Sequence, residues 1–288
     1  MKSENTMRLE EIVISPATEP ENNPYYPVGA DAADREAMLP IGVVLRQLFR
    51  YAEDMGSLVR EQERMAVQLR DAQRETLSRL ALVAVHATAG GAAAMMRVGL
   101  MSALVAHDLG LADEYCDDIC MAAPLRDIGL LARQEPSAAE PGQVDTGARH
   151  DDKKRHPYVG AAILGDADSP CLRMAEEIAL AHHELFSGEG YPRGLHGYGI
   201  PMSARIVAVT ARFDKLMRAE GASAAEVVAQ LRIAAGTEFD PGMVEAMAKR
   251  AAAYPAVTKA VASSLDGAAR SPDFLACAPK LWRQLLDL

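Results

Sequence analysis

With 288 residues the chain is long enough to bury one sizeable core and to carry an appendage. Its formal net charge of -10 repels phosphate backbones and anionic lipid headgroups, so neither nucleic-acid binding nor attachment to a membrane surface is expected. Hydrophobic residues make up 49% but aromatics only 5%; alanine fills the difference, and as the best helix former it points to an all-α protein.

Residues 1–34 carry Pro16, Pro20, Pro24 and Pro27 among acidic and amide side chains, a composition that reads as a flexible arm. Lys2 is followed by Glu4 and by no apolar run, and the most apolar stretch, Gly90 to Met101, is interrupted by Arg97. Secretion and membrane spanning are therefore not expected. Cys116, Cys120, Cys171 and Cys277 show no metal-ligand spacing and fit a reducing cytoplasm.

From Leu45 the positions Leu48, Ala52, Met55, Val59, Ala66, Leu69 and Leu80 advance in steps of three and four, with Gln62, Gln73 and Thr76 in the same seam. This pattern predicts a long coiled-coil-like helix, placed at 35–76, that pairs with a second copy of the chain. Helical periodicity continues over Leu77 to Leu111, Glu114 to Leu131, His156 to Leu164, Cys171 to Leu185, Ser203 to Met217 and Ala224 to Ala234. Arg133 to Arg149, rich in Pro and Gly, reads as a polar loop. Asp240-Pro241 opens a helix to about Ala253, which Pro255 ends. In the extension 254–288, Leu281, Trp282, Leu285, Leu286 and Leu288 form a stripe expected to cap the protein's own core.

The densest cluster of chemistry lies at His182-His183-Glu184 and the following Gly188-Glu189-Gly190-Tyr191-Pro192-Arg193-Gly194. Together with Ile200-Pro201-Met202-Ser203-Ala204-Arg205-Ile206-Val207-Ala208-Val209, Gly236-Thr237-Glu238-Phe239-Asp240-Pro241 and Ala122-Ala123-Pro124-Leu125-Arg126-Asp127-Ile128-Gly129, it resembles the HD-GYP family, bacterial phosphodiesterases that hydrolyse cyclic di-GMP. The resemblance covers about residues 77–253 and implies an all-α HD-GYP-type bundle behind the long N-terminal helix. It also implies a cluster of two or three divalent metals held by histidines and carboxylates.

Carried over position by position, the resemblance places the family's acidic ligand at Gly90, its opening histidine at Ala94, its dyad histidine at Arg126, a phosphate-side lysine at Leu130 and a later aspartate at Ala211. None of these side chains can donate a lone pair to a metal. Asp127, His156, His182 and His183 remain, enough for one Fe, Mn or Zn ion at most. Alternatively Arg126 pairs with Asp127 and the histidines satisfy one another. The second state, with no cofactor, is the expected one, because a guanidinium beside the carboxylate competes with a metal for it. His107-Asp108 imitates a second dyad but has the wrong spacing to His182, and it reads as a surface pair, as do the solvated His86 and His150.

The family's cationic segment after the later helix is shortened here, leaving Lys215, Arg218 and Arg193 as candidate phosphate partners. The turn Gly188, Gly190, Tyr191, Pro192 and Arg193 is the candidate ligand or partner loop, with a diguanylate cyclase as the partner that the resemblance suggests. The expected function is a catalytically silent, cytoplasmic, homodimeric module of cyclic di-GMP signalling. The alternatives are a phosphodiesterase of reduced metal content and a sensor that binds cyclic di-GMP without cleaving it.

Overall fold

A computed structural model describes residues 32–85, 90–132, 146–165, 168–219, 222–266 and 275–286, with side chains outside 32–46 and 146–153. The expected arm therefore lies outside the described residues except at its end, where 32–34 are already helical. Helix α1 spans Ala32–Ala84. Compact units divide at Val67 and Gln68. In the first, Leu48, Met55 and Val59 are exposed, as the apolar stripe of an unpaired helix must be.

The second unit contains the rest of α1 and helices α2 (Gly91–Asp108), α3 (Asp113–Ala122), α4 (Thr146–Leu164), α5 (Pro170–Ala181), α6 (Met202–Met217), α7 (Ala224–Ile233), α8 (Pro241–Arg250), α9 (Tyr254–Leu265) and α10 (Ala278–Gln284). Among the described residues no strand forms, only an isolated bridge between Ala235 and Phe239. No described helix is long and apolar enough to cross a membrane.

Helix α2 is the axis of this bundle. Every residue from Ala94 to Ala106 is buried, which a helix apolar on all sides requires. Small side chains let its neighbours come close: a Cβ at Gly99 would strike the carbonyl oxygen of Cys120 on α3. The one charge in that run, Arg97, sits 2.6 Å from Asp214 of α6, whose carboxylate also accepts Tyr254 Oη–H at 2.8 Å and Arg218 Nε–H at 3.0 Å. Two cations and a hydroxyl on one carboxylate compensate its removal from water.

Trp282 of α10 is fully buried and donates its indole N–H to Asp117 at 2.9 Å, so the described part of the C-terminal stripe caps the protein's own core, Leu288 lying outside the described residues. Arg74 of α1 and Arg283 reach the same carboxylate at 2.9 and 2.7 Å. The His107-Asp108 pair is structural but not simply superficial. Asp108 receives both arms of Arg250 at 2.6 and 2.7 Å, while His107 packs 5.9 Å from the Trp282 ring. His86 and the side chain of His150 lie outside the described residues.

Several expected helices have different ends. The run Leu77 to Leu111 is broken, because Gly90 and Gly91 take φ of 96° and 62°, a left-handed conformation found at the start of α2 that a right-handed helix cannot carry through its interior. The run Glu114 to Leu131 stops at Ala122, where Pro124 enters, and continues as 3-10 turns at Ala123–Leu125 and Ile128–Ala132. Helix α4 begins at Thr146, inside the stretch read as a loop, and runs through Pro157. Helix α5 ends at Ala181, so His182 and His183 stand in the turn beyond it and not on the helix.

Candidate metal centre

Asp127, His156, His182 and His183 each present a ligand atom within 4.8 Å of the others. Three segments bring them together. Asp127 lies between the two 3-10 turns, His156 projects from α4, and the histidine pair follows α5. The approach of the first two depends on glycine: a Cβ at Gly129 would overlap the carbonyl of His156 and lie 2.6 Å from the amide nitrogen of Gly160. Only a residue without a side chain lets the Asp127 segment rest on α4.

His182 Nδ1 is 3.0 and 3.1 Å from the carbonyls of Ile178 and Ala179, which can only accept. The proton is thereby assigned to Nδ1, and Nε2 carries a lone pair. That lone pair faces His156 Nε2 at 3.3 Å and Asp127 Oδ1 at 3.5 Å, with His156 Nε2 3.8 Å from the same oxygen. A tetrahedral ion bonded at about 2.0 to 2.2 Å holds its donors about 3.3 to 3.6 Å apart, close to this triangle. The donor set therefore fits one transition metal, and the expectation of a protein without cofactor finds no support in this geometry.

Arg126 does pair with Asp127, as anticipated, but on the other oxygen: Nε is 3.1 Å from Oδ2. The guanidinium thus leaves Oδ1 to the histidines. Burial works to raise the Asp127 pKa, but the Arg126 guanidinium and the imidazoles beside it outweigh that and hold the carboxyl well below the usual range. Burial next to two other imidazoles lowers His183 to about 3, which keeps it neutral and available as a ligand.

The turn beyond the histidines folds back on them. The Tyr191 ring stacks on His183 at 4.7 Å and 19°, and Tyr191 N–H donates to the His183 carbonyl at 3.2 Å. Tyr158 of α4 donates to the Pro192 carbonyl at 3.2 Å. Glu184, only 3% exposed, accepts from the backbone N–H groups of Arg193 and Leu195 at 2.7 and 3.0 Å. The sequence pattern places Glu184 in this cluster without giving it a role, and Tyr158 is not among the sequence-based candidates. An acid directly after two candidate ligands, and a tyrosine two residues after a third, were the available signals.

Other positions singled out from sequence collect elsewhere. A Cβ at Gly90 would lie 2.8 Å from both the Ala94 Cβ and an outer nitrogen of Arg218, so that guanidinium lies over Gly90. Arg218 is also committed to Asp214 at 3.0 Å. Gly188 has a φ of 89°, Arg193 and Lys215 are exposed, and Leu130 and Ala211 are half-buried.

A family model described as HD domain matches residues 68–243. The chain is 38% identical over 184 residues to the cyclic di-GMP phosphodiesterase response regulator RpfG of Xanthomonas campestris, covering 62% of this chain and 48% of that protein. It is 35% identical over 157 residues to a cyclic di-GMP phosphodiesterase of Thermotoga maritima, covering 53% and 42%. To the 3'3'-cGAMP-specific phosphodiesterase 2 of Vibrio cholerae it is 32% identical over 189 residues, covering 63% and 35%. The chain spans half or less of the length of these relatives. With the family model matching more than half of its residues, the chain belongs to the HD domain family.

Proposed function

We propose that this chain is a dimeric regulatory member of the cyclic di-GMP phosphodiesterase branch of that family, holding one metal ion and not hydrolysing cyclic di-GMP. The observation that carries the reading is the Arg126–Asp127 pair at 3.1 Å. A guanidinium held against one oxygen of this carboxylate repels a second cation there, which disfavours a pair of metals bridged by Asp127 with an attacking water shared between them. Asp127, His156, His182 and His183 would hold the ion, which when bound supplies positive charge for a phosphate oxygen. His182 is oriented for this by the Ile178 and Ala179 carbonyls. Tyr191, Arg193, Lys215 and Arg218 are the groups we assign to nucleotide or partner contact. The α1 stripe pairs two copies in the cytoplasm, and the Gly-Tyr-Pro turn meets a partner such as a diguanylate cyclase.

A second reading, a phosphodiesterase working with a single metal, is favoured by the 3.3 Å and 3.5 Å spacings of the donor triangle. Turnover separates the two. Protein supplied with manganese or iron should leave cyclic di-GMP intact, with binding followed separately by calorimetry. Hydrolysis near the median enzyme rate of about 10 per second would replace the first reading with the second.

A further inference from the structure

We infer that Glu184 is a positioning residue that makes the histidine pair and the Gly-Tyr-Pro turn one mechanical unit, so that metal at the histidines and order in the turn are thermodynamically linked. The inference rests on the reading that His182 and His183 hold a metal. Its basis is geometric. Both carboxylate oxygens are spent, one on the Arg193 N–H at 2.7 Å and the other on the Leu195 N–H at 3.0 Å. Glu184 is covalently next to His183, and its buried carboxylate accepts from both of those amides.

The turn closes on the same segment at three further points. A Cβ at Gly190 would lie 2.6 Å from both the Glu184 Cα and the His183 carbonyl oxygen, so backbone rests directly on backbone. Tyr191 N–H reaches that carbonyl at 3.2 Å, and the Tyr191 ring covers the His183 imidazole at 4.7 Å. Tyr158, two residues after His156, holds Pro192 from the other side. A shift of the turn therefore displaces His183 through its own backbone, its ring and the neighbouring carboxylate together. Linkage is reciprocal: whatever fixes the imidazoles also quiets the turn.

Glu184→Gln keeps the shape but turns an N–H towards an amide that needs an acceptor. Outer groups of this kind typically alter metal affinity by about 10- to 100-fold, and a loss of about tenfold in cobalt or zinc affinity is expected, with a changed cobalt absorption spectrum and unchanged helical content. Glu189→Gln, on the exposed side of the same turn, should bind as the wild type does. In wild-type protein, zinc should slow hydrogen exchange at the Arg193 and Leu195 amides, a readout that remains decisive if Glu184→Gln does not fold. A folded Glu184→Gln with wild-type affinity and spectrum, or zinc binding that leaves both amides unprotected, overturns the inference alone. A wild type that binds no metal at all overturns the metal reading and this inference with it.

Discussion

Arg126 and His182 address opposite oxygens of Asp127, the guanidinium at 3.1 Å from Oδ2 and the imidazole at 3.5 Å from Oδ1. The guanidinium thus takes one oxygen of the carboxylate and leaves the other facing the histidines. Because Arg126 and Asp127 are only 11% and 19% exposed at their side chains, the pair is poorly screened and its removal should be felt.

Metal content is the first expected consequence. Protein purified without chelators should carry about one transition metal per chain by elemental analysis. His182→Ala should abolish it and His107→Ala should leave it unchanged, since His107 packs against Trp282 and not in the donor cluster. Two or more ions per chain would contradict the single-oxygen argument.

Arg126→Met should destabilise the chelated protein by about 2 to 3 kcal/mol in urea unfolding, because Asp127 loses its permanent counterion. Added zinc should recover much of that loss, as a divalent ion on Oδ1 supplies the missing charge. If the metal restores no stability, Arg126 and the ion do not share this carboxylate.

Alkaline unfolding should be steep. Burial pushes Tyr254 and Tyr115 up to about 12, for Tyr254 with the neighbouring Asp214 carboxylate adding to it and for Tyr115 with Glu177. Both phenols keep their proton in the folded state while the unfolded chain releases it near its ordinary value of 10.0. Their contribution is intact below that pH and is lost as pH rises towards 12. Tyrosinate absorbance should show these two residues ionising together with loss of helical circular dichroism. Independent ionisation at the ordinary value, with the fold intact, would show that neither phenol is held.

Leu48 and Met55, 57% and 60% exposed on α1, should be covered by the same residues of a second copy. Each such side chain contributes roughly 1.5 to 3 kcal/mol when fully buried, and several per chain offset the cost of association despite Gln62 and Gln73 in the seam. Light scattering should find a dimer, and changing both residues to aspartate should give monomers of unchanged helical content. A wild-type monomer at tens of micromolar removes the dimer from the proposal.

The all-α class, the long helix and the four donors are legible in the sequence because each rests on residue identity at fixed spacing. Alanine content with three-four periodicity marks the helices, and Asp127, His156, His182 and His183 are side chains able to ligate that stand in or beside recognisable motifs. What is not legible depends on direction in space. That Arg126 takes one oxygen of Asp127 and spares the other is a matter of two rotamers, which no spacing encodes. The ends of helices were misjudged where backbone chemistry overrode apolar periodicity, at Gly90 and Gly91 through positive φ and at Pro124 through its missing N–H. The role of Glu184 is not legible because its partners are main-chain amides, and main-chain amides leave no trace in a sequence.

The contact of Gly129 with the backbone of His156 and Gly160 carries a consequence for how this chain tolerates change in length. The distance between Asp127 and His156 is set by that touching of main chains and not by the number of residues joining Ala132 to Thr146. Insertions or deletions within that connection should leave the donor triangle at its present size. One methyl group on Gly129 should force the triangle apart, as overpacking of about 1 to 3 kcal/mol does in a filled interior. A change of length in this connection should thus leave metal binding intact, while any side chain at position 129 should weaken it.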